Sequence, residues 1–174
     1  MFPLHLCHFR ARGNLSLIMF YIKNKDYLME RSKEMVVLKK GILFLCTGNS
    51  CRSQMAEGFA KIMFSKDLKI FSAGTEPKTI HPIAVKVMQE IGIDISQHWS
   101  KNISEIPIDK IDLVVTLCGD AAENCPIFPG KIKKIHWEIE DPAKTKGSEE
   151  EIAKVFRKVR DNIRSFIISY LFVQ

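Results

Sequence analysis

A chain of 174 residues with 46% hydrophobic content has the size of one domain and can bury most of its apolar surface without a metal or disulfide staple. The net charge of +6 is unevenly spread: residues 1–40 hold eight Lys/Arg against three Asp/Glu, whereas residues 41–174 hold eighteen against seventeen, so the nearly neutral body offers no nucleic-acid footprint. Five cysteines, an odd number, argue against a disulfide framework and for catalytic or redox-active thiols in a reducing, cytoplasmic setting.

Residues 1–34 read as an N-terminal extension without clean periodicity, either a start assigned too far upstream or a true appendage. The stretch LSLIMFYI within it lacks a cleavage site and is too short to span a bilayer, so no membrane attachment is expected. Residues 35–174 read as the single folded domain. ILFL at 42–45 is continuously apolar, as in a buried parallel strand. Met55, Phe59, Ile62 and Met63 then recur on one face of a helix. KIFSA at 69–73 predicts a second strand. Pro82 fits the first turn of a second helix, with Ala84, Val87, Met88 and Ile91 as its stripe and Gly92 at its end. DLVVTLC at 112–118 and KIKKIHW at 131–137 predict the third and fourth strands. Ser148-Glu149-Glu150-Glu151 is a capping-box pattern. It opens a long helix with Ile152, Val155, Phe156, Val159 and Ile163 on one face, and the late run FIISYLFV packs as the end of that helix. Alternation of this kind predicts an α/β fold: a single domain, a four-stranded parallel sheet and helices on both faces. Ligands of such sheets bind beyond the carboxyl ends of the strands, where Cys46 and Cys118 both fall.

The segment Cys46-Thr47-Gly48-Asn49-Ser50-Cys51-Arg52-Ser53 lies between a strand and a helix. Gly48 and Asn49 tolerate unusual backbone angles, so the loop can curl its N–H groups into an anion nest backed by a helix N-terminus. Arg52 adds a planar fork for two oxygens of a tetrahedral oxyanion. Cys46, at the base of the loop, sits in a field that favours the thiolate, and the Ser53 hydroxyl adds a hydrogen bond to it.

The pattern C-x5-R-S after an apolar strand resembles the low-molecular-weight protein tyrosine phosphatases and the thioredoxin-coupled arsenate reductases that share their fold. TLCGDAAENCP, with Cys118 and Cys125, and HWEIEDPA are similar to segments of the reductases; an aromatic residue, usual after the Asp-Pro of the phosphatases, is replaced by Ala143. The resemblance implies that Cys46 is the nucleophile, Arg52 the oxyanion ligand and Ser53 the hydroxyl beside the thiolate. Asn49 then braces the loop, Cys118 and Cys125 are the second and third redox cysteines, and Asp141 is the general acid. Thr47, Gly48, Asn49, Ser50, Cys51 and Arg52 would line the oxyanion, arsenate or its mimics phosphate and sulfate. Arsenic detoxification is the implied role, thioredoxin the reductant and a monomer the implied state, with no bound cofactor or metal. Some relatives hold a monovalent cation with Asn49, Glu57 and Ser72 and an acidic side chain in the loop that here reads Trp99-Ser100-Lys101; Lys101 would repel such an ion. The alternative reading is a phosphatase of phosphate monoesters, which needs Cys46, Arg52 and Asp141 but neither of the later cysteines. Cysteines as metal ligands are disfavoured by spacings of five and seven. Taken residue by residue, Cys118 and Cys125 also fit buried thiols, Asp141 a turn, Cys51 a loop filler and His136-Trp137 a packing pair.

Overall fold

The computed structural model describes residues 40–64, 68–119, 121, 128 and 132–171. The order of elements is strand β1 (Gly41–Cys46), helix α1 (Arg52–Met63), strand β2 (Lys69–Gly74), helix α2 (Pro82–Gln89), strand β3 (Leu113–Thr116), strand β4 (Lys133–His136) and helix α3 (Glu149–Leu171). Short 3-10 turns cover Ile103–Glu105, Ile108–Lys110 and Pro142–Lys144. The four strands form one sheet in the order β2-β1-β3-β4, every pairing parallel. This is the expected α/β fold. All residues of β1 and β3 are buried, so both faces of the central sheet are covered, which explains why these strands read as apolar runs rather than alternations.

β1 and β2 run slightly beyond the segments that announce them, whereas β3 and β4 are shorter than theirs. β3 stops at Thr116, although Leu117 still donates to the Leu45 carbonyl at 2.8 Å, and Cys118 lies just past the ladder. For β4, Lys131 lies outside the described residues, and pairing runs from Leu113↔Lys133 to Thr116↔His136. α2 begins at Pro82 with His81 as its N-cap, the ring Nδ1 accepting from the Ile83 N–H. It ends at Gln89, two residues before Ile91, which is 40% exposed in the following turn; Gly92, at φ +78°, reverses the chain and Ile93 is the residue that buries. α3 opens on the predicted capping box: Ser148 N donates to Glu151, whose own N–H approaches the Ser148 hydroxyl. Ile167 and Leu171 bury its far end.

α1 departs most from its predicted stripe. Ile62 is 62% exposed, whereas Arg52 through Ala60 are buried without interruption, Arg52, Ser53, Gln54 and Glu57 among them. The polar side of this helix faces the interior of the protein, towards the loop that precedes it.

Candidate active site

The loop between β1 and α1 is held from outside by its carbonyls. The Cys46 carbonyl accepts from Thr75 N, Thr47 from Glu76 N, Gly48 from Lys78 N and Ser50 from His81 N, and Cys51 accepts the first helical bond from Met55 N. The Asn49 carbonyl accepts from the Ser100 hydroxyl at 2.8 Å and from Gln54 Nε2 at 3.0 Å. In a trans peptide the C=O and the following N–H point in opposite directions. Six consecutive carbonyls turned outward therefore turn the N–H groups of residues 47–52 towards a common interior, the arrangement of an anion nest. Asn49 takes the left-handed conformation this curl requires, at φ +44°. Gly74, paired in register with Cys46, lets the loop close onto β2: a Cβ there would stand 2.5 Å from the Thr47 carbonyl oxygen and 2.9 Å from Asn49 N. At the start of α1, the Cys51 side chain makes no capping bond and the first turn carries no acidic residue, so the positive end of the helix is left for an anion.

Cys46 Sγ, in a buried side chain, lies 3.0 Å from Ser53 Oγ. Ser53 Oγ accepts from Asn49 Nδ2 at 2.8 Å, so the serine proton is directed at the sulfur. The same amide reaches Ser72 Oγ at 2.9 Å. Arg52 donates through Nη1 to the Ile139 carbonyl at 3.0 Å and pairs through Nη2 with Asp141 at 3.2 Å. These contacts bring the segment after β4 over the loop. Asp141 also caps the Pro142–Lys144 turn, accepting from Ala143 N; it is both the turn residue and the carboxyl nearest the guanidinium. Cys118 Sγ stands 3.4 Å from Thr47 Oγ1, and a cleft of about 500 Å³ runs past Cys118, Arg52, Ile139, Asp141 and Lys144. Burial pushes the Cys51 thiol up to about 12, so Cys51 stays protonated and contributes to the loop by its backbone. Cys46, Cys51 and Cys118 carry no disulfide. Cys125 lies outside the described residues.

Residues 41–171 match the family model described as low molecular weight phosphotyrosine protein phosphatase. The chain belongs to that family. Within it, the chain is 54% identical over 125 residues to the arsenate reductase of Halalkalibacterium halodurans, covering 72% of this chain and 90% of that one. A solved arsenate reductase in the phosphate binding state is 36% identical, with a TM-score of 0.60, and spans 74% of this chain and 93% of its own. A thioredoxin-dependent arsenate reductase of Corynebacterium glutamicum is 25% identical, with a TM-score of 0.57, and covers 90% of this chain and 74% of its own.

On this phosphatase scaffold a second set of residues, unremarked in the sequence apart from Glu57, Ser72 and Lys101, supports the loop. Gln54 donates to Asn49 and to the Trp99 carbonyl and accepts from His98 Nδ1 at 3.0 Å. Burial lowers the His98 pKa, consistent with a neutral ring whose Nε2 faces Lys61 Nζ. Glu57, also buried, receives the Ser72 hydroxyl, Lys61 at 2.5 Å and Lys101 at 3.5 Å. Burial alone would raise its pKa; the Lys61 and Ser72 bonds and the two ammonium charges outweigh burial and hold it below the usual carboxylate range. A monovalent cation does not fit here. Lys101 already brings an ammonium to Glu57, and Asn49 Oδ1 is taken by Lys101 N and Gln54 Nε2. Among the described residues, no cluster of His, Cys, Asp and Glu could hold a metal ion, and no helix is long and apolar enough to cross a membrane.

Proposed function

We propose that the chain is an arsenate reductase working in the reducing cytoplasm as a monomer, with Cys46, Cys118 and Cys125 as a thiol relay. The observation that carries this reading is the placement of Cys118 at the rim of the oxyanion loop, beside Thr47 and on the cleft that Arg52 and Asp141 share. A hydrolytic enzyme has no use for a second thiol there. The identity to curated arsenate reductases supports the same reading. Arsenate sits in the nest, its charge met by N–H groups, the helix terminus and Arg52. The Cys46 thiolate bonds to arsenic as one oxygen leaves as water, protonated by Asp141. The Cys118 thiolate attacks Cys46 Sγ; the new S–S bond forms as the S–As bond breaks, and its electron pair reduces arsenic to arsenite. Cys125 then attacks Cys118, releasing the Cys46 thiolate and leaving a Cys118–Cys125 disulfide. A dithiol protein of the thioredoxin type reduces it by exchange. The electrons come from the protein's thiols, so no bound cofactor enters the cycle.

The test is Cys118→Ser. With a thioredoxin system present it abolishes steady-state arsenite formation yet spares hydrolysis of a small aryl phosphate, which requires only Cys46, Arg52 and Asp141. Cys46→Ser abolishes both. Full arsenate turnover by Cys118→Ser rules out the relay. Rapid aryl phosphate hydrolysis without arsenate reduction in the parent chain favours the phosphatase alternative.

A further inference from the structure

Lys101 carries a charge into the supporting network of the loop. Its side chain is only 12% exposed and its ammonium lies 3.5 Å from the buried Glu57 carboxylate, donates to the Trp99 carbonyl at 3.0 Å and sits 4.7 Å from the centre of the Trp99 ring. Its backbone N–H fixes Asn49 through Oδ1 at 2.8 Å. From Glu57 a continuous series of hydrogen bonds runs through the Ser72 hydroxyl, the Asn49 amide and the Ser53 hydroxyl to Cys46 Sγ. Each donor in the series is oriented by the next acceptor. A Glu57 carboxylate accepts the Ser72 proton, so Ser72 accepts from Asn49, and Asn49 directs the Ser53 proton onto sulfur. A protonated or displaced Glu57 would release that order. Lys61 reaches Glu57 more closely, at 2.5 Å, but from a side chain 47% exposed, so its charge is screened by solvent more than that of Lys101, which approaches from the interior.

We propose that Lys101 is a positioning residue that supplies an internal cation: its ammonium, together with Lys61, holds the Glu57 carboxylate in place, and thereby sets the reactivity of Cys46 without any dissolved monovalent cation. The inference rests on Cys46 being the nucleophile but not on arsenate being the substrate. Among the described residues, the charged groups bonded to Glu57 are Lys61 and Lys101, with neutral His98 behind Lys61, so the positive charge beside the carboxylate is supplied by the protein itself.

The experiment measures the alkylation rate of Cys46 by iodoacetamide at neutral pH, resolved by peptide mass spectrometry, together with arsenate turnover. For the parent chain both stay within twofold between zero and 100 mM potassium, matched in ionic strength with tetramethylammonium (an estimated range set by the ordinary spread of screening effects, about 10 Å of Debye length at 0.1 M). Lys101→Met slows Cys46 alkylation by roughly tenfold, the scale of a lost partly buried charge contact; added ammonium ion, the detached head group, restores much of the rate, and Lys101→Arg keeps most of it. Potassium stimulation of the parent chain beyond twofold, or Lys101→Met alkylating at the parent rate, overturns the proposal. If Lys101→Met does not fold by circular dichroism, the potassium response of the parent chain decides by itself. Potassium-indifferent alkylation with the Lys101→Met defect, but no arsenite formed, would refute the arsenate reading while leaving the role of Lys101 intact.

Discussion

Arg52 divides its guanidinium between the Ile139 carbonyl and Asp141, and so ties the loop of Cys46 to the segment of Asp141. Two consequences follow at the scale of single residues. On the proposed cycle, Asp141→Asn removes both the proton donor and one arm of this tie; turnover falls by roughly 10²-fold, the usual contribution of a general acid, while Cys46 remains open to alkylation. Arg52→Lys loses the planar fork, and phosphate protection of Cys46 against alkylation weakens by about tenfold or more, one such charge-assisted bond being worth about 1.5–3 kcal/mol. Cys51 makes a sharp contrast with its neighbour. With its thiol held near 12 by burial, it takes no label in the folded protein at pH 8 and is labelled only on unfolding, as whole-protein mass spectrometry in the presence and absence of denaturant will show. Cys46, Arg52, Ser53 and Asn49 were legible because their spacing within one short motif is local. Gln54 and His98 were not: their roles come from contacts 44 and 45 residues apart in sequence, and no local pattern marks a glutamine in a helix as a brace.

At the scale of elements, hydrophobic runs disclosed where strands and helices lie, but their ends are set by partners. β3 is shorter than its apolar run because, beyond Leu117, which still bonds to Leu45, Cys118 turns to Thr47 at the site, and Ile91 lies outside α2 because the helix ends at Gln89. The buried polar face of α1 shows the other failure of a simple stripe: Arg52, Ser53, Gln54 and Glu57 are inside because the site is inside. The junction of β2 with the loop is the most constrained of these ends. Gly74→Ala forces a methyl group against backbone atoms of Thr47 and Asn49, neither of which yields cheaply. A stability loss of about 1–3 kcal/mol, typical of overpacking, is expected in urea titrations, together with slower Cys46 alkylation because the loop must shift. By comparison, Phe156→Ala in α3, fully buried and against the His81 ring, costs about 3–5 kcal/mol through its cavity but leaves the loop bonds in place.

For the molecule as a whole, the buried and half-buried titratable groups set how it responds to acid. His98 and His81 have lowered pKa values, both through burial. A histidine kept neutral by the fold binds fewer protons than its unfolded counterpart, so its contribution is complete above about 6.5 and is eroded as pH falls below that value. Glu57 is lowered by its ammonium and hydroxyl partners; its contribution is present above the ordinary glutamate value of about 4.3 and disappears as pH falls through its depressed one. Thermal midpoints should therefore decline in two stages, gently from about pH 6.5 and again below about pH 4.3. His98→Gln diminishes the first stage, and a flat profile between pH 7 and 5 would contradict it.

The outward carbonyls of residues 46–51 have a consequence for selectivity. A receptor made of main-chain amides and one guanidinium registers only the size and charge of what it holds, and those are nearly the same for phosphate and arsenate. No single side-chain replacement can teach such a receptor to prefer the rarer ion. On the reading proposed above, abundant phosphate must enter and leave as a silent competitor, and discrimination is deferred to the moment when a second sulfur arrives: phosphorus cannot accept the electron pair that arsenic takes. Choosing its substrate by outcome rather than by fit, the protein would work most slowly in phosphate-replete cells and faster when phosphate runs short.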